Sequence, residues 1–252
     1  MKKTKIIIPA LGLLLLSTAA SVTGTVAWFS ANATVTASSM TVKATVGANL
    51  FIGKGQLTID ALVATSINDL GTSNLALNPS TMTDSSGSVT VKYASAYTTA
   101  PTVSTAGVAS EYQNVGVLTV STATDNADPA KDLDEYVAYS FVTIGRKQTE
   151  ATNYKLTPTC SIVLGSNSNL NKCLRAGVIM NGALYQSNDM DTATGTVNFT
   201  FPSTINSLAD NTAYNACLMI WFEGSDSDCI TNNAVNLANN VASWTFVAAD
   251  MA

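Results

Sequence analysis

The chain has 252 residues, 46% of them hydrophobic and only 12% charged, with 12 lysines and arginines against 17 aspartates and glutamates. That length suits one all-β domain, with two smaller ones as the alternative. The charged share is about half the usual one, and Ser, Thr, Asn, Ala and Gly fill the gap, as in secreted or virion structural proteins that pack against their own copies. The acidic balance argues against a nucleic-acid partner, whose phosphates need a basic footprint, and the absence of histidine removes the commonest general base and metal ligand.

Lys2, Lys3 and Lys5 precede an apolar run from Ile6 to Phe29. Positive charge followed by an apolar stretch is the order of a secretory signal, with the lysines held on the cytoplasmic side. Thr25-Val26-Ala27 places small residues at the recognition positions, so cleavage after Ala27 is the first expectation, and a cut near Ala19 or Ala20 the second. The alternative is a retained helix: the run exceeds the roughly 20 residues a bilayer needs, and Trp28 and Phe29 would sit at the far interface. The expected division is residues 1–27 as signal peptide or anchor and 28–252 as the folded domain. Removing the three lysines leaves nine basic against 17 acidic residues, a net charge of −8, which argues against contact with anionic lipid through the domain itself.

Beyond the run, Met40, Val42 and Ala44 alternate with Thr41 and Lys43, the pattern of a half-buried strand. The stretch Gly24-Thr-Val-Ala27-Trp28-Phe29-Ser-Ala-Asn, with Ala33-Thr-Val-Thr-Ala37 and Met40-Thr-Val-Lys-Ala44 behind it, resembles the start of TasA- and camelysin-like proteins. These are bacterial surface and biofilm-matrix proteins that depend on a dedicated signal peptidase, SipW. The resemblance covers about the first 45 residues. It implies cleavage near Ala27–Trp28, in the region Ala27, Trp28 and Phe29, a jelly-roll-like β-sandwich and polymerisation into extracellular fibres. Two features depart from it: Ser30-Ala31-Asn32 stands where an acidic residue often follows the aromatic, and the cysteines match no family signature.

In chain order, residues 30–52 hold the first strand or two, and Gly53-Lys54-Gly55 is a turn signal. Leu57 to Leu70 has mixed spacing, read as a strand and a short helix, and Gly71 to Gly87 reads as a polar loop. Val89, Val91 and Tyr93 alternate as a strand. Ala94 to Ser110 is a Thr/Ala/Ser-rich surface loop, with a ligand-binding excursion as the alternative. Val115 to Val120 is a short strand, Thr122 to Asp134 an acidic loop, and Tyr136 to Ile144 a central strand broken by Gly145-Arg146-Lys147. Tyr154 to Leu164 and Cys173 to Met180 flank an Asn/Ser-rich turn and read as a hairpin, and Asn181-Gly182 is a tight hairpin turn. Val197, Phe199 and Phe201 alternate, Tyr214 to Phe222 is the most apolar run after the export segment, and Trp244 to Val247 is a closing strand. Nine or ten strands without a helical period give the rhythm of a single sandwich or jelly roll.

Cys160, Cys173, Cys217 and Cys229 are an even number behind an export signal and read as two disulfides. The hairpin register sets Cys160 opposite Cys173, and Cys217 and Cys229 bracket the Glu223–Asp228 turn; four cysteines allow three pairings, and spacing does not choose among them. Without C-x-x-C or histidine these residues do not read as a zinc or redox site. Asp125, Asp128, Asp132, Asp134 and Glu135, and again Glu223, Asp226 and Asp228, lack the pattern of a calcium loop and read as solvated turns. Trp28, Trp221 and Trp244 read as core or interface anchors rather than as a sugar platform. No phosphate loop or nucleophile elbow is present.

The expectation is therefore an exported, non-enzymatic structural protein without cofactor or metal. It assembles with its own copies by adding the strand containing Met40, Val42 and Ala44 to a neighbour's sheet edge, with surface polysaccharide as a further candidate partner. The alternatives are a membrane-anchored surface or virion protein, touching the membrane only through residues 6–29, and a secreted carbohydrate-binding module or hydrolase.

Overall fold

The computed structural model describes residues 35–44, 49–68, 70, 73–75, 77, 80–93, 113–125, 133–149, 152–163, 172–188, 195–226 and 240–251. The protein is all-β, as its strand rhythm predicts. Sixteen strands are described: β1 (Val35–Ala44), β2 (Leu50–Lys54), β3 (Ser66–Ile67), β4 (Ser73–Leu75), β5 (Thr81–Ser85), β6 (Ser88–Tyr93), β7 (Gln113–Leu118), β8 (Ala123–Asp125), β9 (Ala138–Arg146), β10 (Asn153–Val163), β11 (Leu174–Met180), β12 (Ala183–Gln186), β13 (Thr196–Phe199), β14 (Ile205–Ala209), β15 (Tyr214–Phe222) and β16 (Asn240–Asp250).

They form three sheets. The first runs β13-β10-β16-β1-β3, with β14 also on β10 and β4 also on β1; the second runs β12-β11-β15-β9-β2; the third runs β5-β6-β7-β8. Two apolar cores fix the order of the layers. Met40, Val42, Leu156, Ile162, Trp244 and Phe246 from the first sheet meet Ile52, Val142, Val178, Leu218, Ile220 and Phe222 from the second. The opposite face of the second sheet presents Ile179, Cys217, Met219 and Trp221 to Val89, Val91, Val115 and Leu118 of the third.

The second sheet is thus buried on both faces, and its sequence says why. A strand with one wet face alternates, whereas one covered on both sides reads as a continuous apolar run. Residues Ala216 to Phe222 of β15 are all buried, as is every residue of β11. By contrast β10 alternates strictly between exposed or half-exposed and buried positions, because the outer face of the first sheet has no layer over it among the described residues.

This difference corrects the expected hairpin. β10 and β11 lie in different sheets, β10 against β13, β14 and β16 and β11 against β12 and β15. A strand with one dry face and a strand with two cannot share a ladder in this layering. Cys160 consequently sits beside Phe199 and Trp244 rather than opposite Cys173. The stretch read as a polar loop contains β4 and β5, and Thr122–Asp134 contains β8. No helix is described within Leu57–Leu70; residues 57–65 form turns that lay Leu62 into the core, and β3 follows.

The Asn181-Gly182 turn is as predicted, with φ of 50° and 79° between β11 and β12. Ser86 and Gly87, at 54° and 84°, turn β5 into β6 in the same way. Left-handed values at both central positions match the twist of paired strands.

Candidate functional site

The first strand is where sequence and fold converge. β1 lies between β16 and the short β3 and β4. Against β16 it runs parallel, from Ala37 beside Asn240 to Ala44 beside Phe246, with one irregularity between Ala37 and Ser39. Its other flank is paired only at Val35–Ala37 with β4 and at Val42 and Lys43 with β3, supplemented by the Leu70 amide, which donates to the Met40 carbonyl at 3.0 Å. The predicted alternation is realised: Met40 and Val42 are 3% and 1% exposed in the core, while Lys43 is exposed and Thr41 half-exposed, its hydroxyl donating to Ser243 Oγ at 3.0 Å. Ala44 continues the ladder through its backbone.

First and last described strands are therefore neighbours. A parallel pair needs a long crossover, and here the crossover is everything from β2 to β15. β1 contributes two large core side chains and a ladder on β16 with one irregularity, and its residues Val35–Ala37 also pair with β4. Ala27, Trp28 and Phe29 lie outside the described residues.

The other buried polar groups are structural. Arg146 ends β9 with its guanidinium donating from Nε to Asp210 Oδ1 at 2.5 Å and from Nη2 to Asp210 Oδ2 at 3.0 Å. Its Nη1 donates to Asp250 Oδ1 at 2.6 Å, and the guanidinium carbon lies 4.6 Å from the Tyr154 ring centre. Asp210 also accepts from the Thr152 amide and hydroxyl. Burial alone would raise the Asp210 pKa, but the hydrogen bonds from Arg146 and Thr152 outweigh it and hold the carboxyl below its ordinary range. The network joins β9, β14, β10 and β16. Its one legible signal is Arg146 itself, a charge at the end of an apolar strand that must find a partner when buried.

At the far end of β15, Glu223 accepts from Trp221 Nε1 at 3.0 Å and from the Ser225 hydroxyl at 2.7 Å. Arg175 pairs with Asp226 and donates to the Lys172 and Leu174 carbonyls. Ser80 donates to the Tyr136 carbonyl at 2.9 Å, Thr143 donates to the Gly55 carbonyl at 2.6 Å, and Ser187 Oγ accepts from the Ala176 amide at 3.1 Å. These seven buried polar or charged side chains are thus engaged, whereas Tyr154 Oη and Trp244 Nε1 are buried without a hydrogen-bond partner among the described residues. Of the acidic loops, Asp125 accepts from the Leu133 amide at 2.9 Å; Asp128, Asp132 and Asp228 lie outside the described residues.

Cys160 and Cys217 are buried thiols, each with its pKa pushed up by burial. They occupy different cores, Cys160 with Cys173 in the first and Cys217 in the second. The sheet therefore stands between Cys217 and the other two. Cys229 lies outside the described residues. Trp221 and Trp244 are 0% and 1% exposed, so neither forms a sugar platform; Trp28 is not described. Among the described residues no cluster of three metal-ligating side chains occurs, and no helix is long and apolar enough to cross a membrane.

No family model and no curated protein matches this chain. Among solved structures, a family 123 glycoside hydrolase from Clostridium perfringens, described for its hydrolysis of glycolipid glycans, is similar at 10% identity with a TM-score of 0.19. The likeness covers 49% of this chain and 24% of that one, and at that level it carries no inference about fold or activity.

Proposed function

We propose that this is an exported, non-enzymatic structural protein whose copies assemble through their first strand. The observation that carries the reading is the placement of β1. It comes shortly after the apolar run Ile6–Phe29, places Met40 and Val42 in the core, and is held by a ladder on β16 with one irregularity between Ala37 and Ser39 but by only five paired residues on its other flank. A strand that supplies backbone hydrogen bonds and two anchor side chains can, once cleavage near Ala27–Trp28 leaves it close to the N-terminus, occupy the same slot in a neighbour.

The experiment has two steps. The N-terminus and intact mass of the native protein are measured without reductant, and filament formation is followed for the chain and for a deletion of residues 29–39. A start at Trp28 or Phe29, with filaments lost in the deletion, supports the reading. Filaments of normal length in the deletion would sink it. An intact Met1 in a membrane or particle fraction would replace it with the anchored surface or virion protein.

A further inference from the structure

The first sheet is interrupted on one side. β10 is paired with β14 through Leu156 and with β13 from Cys160 onward, so Thr157, Pro158 and Thr159 face no strand there, while β16 follows β10 without a break on the other side. Proline has no amide hydrogen to offer a ladder, and Pro158 stands in the middle of the gap. Residues 200–204 leave the sheet between β13 and β14, and Phe201 turns in against Trp244 with ring centres 5.9 Å apart. The result is a groove of about 480 Å³ on the outer face of the sheet.

Its walls have a consistent chemistry. Thr157, Thr159, Ser161, Asn198 and Thr245 line it with four hydroxyls on the strand faces and one amide, and half-buried Phe201 adds an apolar wall. Two lining side chains are used internally, Thr159 donating to the Thr245 carbonyl at 3.3 Å and Ser243 Oγ accepting from the Thr41 hydroxyl at 3.0 Å; Thr157, Ser161, Asn198 and the Thr245 hydroxyl make no side-chain hydrogen bond among the described residues. No charged residue lines the groove, although the chain as a whole carries 17 acidic residues. Ligand sites are concavities of roughly 300–1,000 Å³ in which a few polar groups fix orientation against an apolar surface.

We propose that this groove binds a short stretch of a neutral polysaccharide. A sugar ring matches the lining on each count: hydroxyls that both donate and accept, an apolar C–H face for the Phe201 wall, and no charge requiring a counter-charge. An anionic ligand would leave its charge unpaired there, which is costly in a partly desolvated site. The groove's Ser243 and Thr245 lie on β16, beside Thr41 and Lys43 of β1, but no residue of β1 lines it, and the proposal does not rest on the assembly reading.

The test uses the full chain and a panel of neutral gluco-, manno- and galacto-oligosaccharides of four to six units, with oligogalacturonate as the anionic control, and measures dissociation constants by titration calorimetry. At least one neutral oligosaccharide is expected to bind and the anionic one not. Thr159→Lys, at an exposed position, is expected to weaken binding tenfold or more and Asn198→Ala about fivefold, with melting temperatures unchanged; Thr124→Lys, on the third sheet, is expected to leave binding intact. Absence of binding across the neutral panel, or binding unaffected by Thr159→Lys, would overturn the proposal. So would a Thr159→Lys variant that binds no sugar in either form but loses self-association by sedimentation, which would make the groove a contact between copies. Filament formation by the deletion of residues 29–39, followed in parallel, tests the first strand separately.

Discussion

Val42 on the first strand lies beside Trp244 on the last, in parallel register, and both are 1% exposed. The first and last described strands therefore close the same core, where their inward side chains pack against the second sheet, and the third sheet lies beyond it. Met40→Ala should cost about 2–5 kcal/mol, the range for emptying a buried methionine site. Val42→Asp should be worse, because the carboxylate has no partner there, whereas Lys43→Asp at an exposed position should stay within about 0.5 kcal/mol. Denaturant midpoints would check the order. Under the proposed assembly, filament length should fall in that order too.

Asp210 and Asp250 both receive hydrogen bonds from Arg146 but should differ sharply when removed. Asp210 is fully buried and Asp250 is 79% exposed at the side chain. Losing Asp210 leaves the buried guanidinium with only the solvent-exposed Asp250 as counter-charge and costs up to about 3–5 kcal/mol, while a pair whose carboxylate is exposed is worth about 0–1 kcal/mol. Asp210→Asn should therefore lower stability by several kcal/mol and Asp250→Asn hardly at all, as read by urea midpoints.

The same carboxylate sets a pH dependence. Its pKa is depressed in the folded protein relative to an ordinary value of 3.8, so the unfolded chain takes up the proton first. Its stabilisation is complete above the unfolded value and is lost as pH falls through the folded one. Urea midpoints should thus decline below about pH 4, and Asp210→Asn should flatten that decline. An equally steep decline in the variant would move the acid sensitivity elsewhere.

How far these features could be read beforehand depended on how local they are. The alternation around Met40 and Val42 and the turn at Asn181-Gly182 are short-range patterns and appear as predicted. β5 was hidden because Thr-Met-Thr-Asp-Ser is an edge strand with few buried side chains and looks like a loop. The third layer announced itself only as the unbroken apolar run of β15, which is equally consistent with any central strand. The Arg146 network was illegible because its acids lie 64 and 104 residues away. The groove was illegible because it arises from an absence of pairing between β13 and β14.

Gly87 and Gly182 form another long-range contact, between the tips of two hairpins in different sheets. A Cβ on Gly87 would lie 2.7 Å from Gly182 Cα, whereas one on Gly182 would meet nothing within 4 Å. Both have left-handed φ, so alanine is strained at either position. Gly182→Ala should cost about 1 kcal/mol. Gly87→Ala adds a clash with backbone that cannot rotate away, and should cost at least about 2 kcal/mol. A thermal melt of the pair would separate them, and equal losses would show that the tips yield.

The thiols give a final prediction. Cys160 lies in the core between the first and second sheets and Cys217 in the core between the second and third; burial raises the pKa of both. Alkylation needs thiolate and access, and both are denied. In native protein at pH 8, iodoacetamide should leave these two cysteines unmodified for as long as the fold survives, and both should react within minutes in denaturant. Peptide mapping by mass spectrometry distinguishes the states. Rapid native labelling of Cys217 would mean that the third sheet opens on its own. Because the second sheet separates Cys217 from Cys160 and Cys173, a disulfide from Cys217 to either of them would require that sheet to rearrange, and finding one in the non-reduced map would contradict the layering.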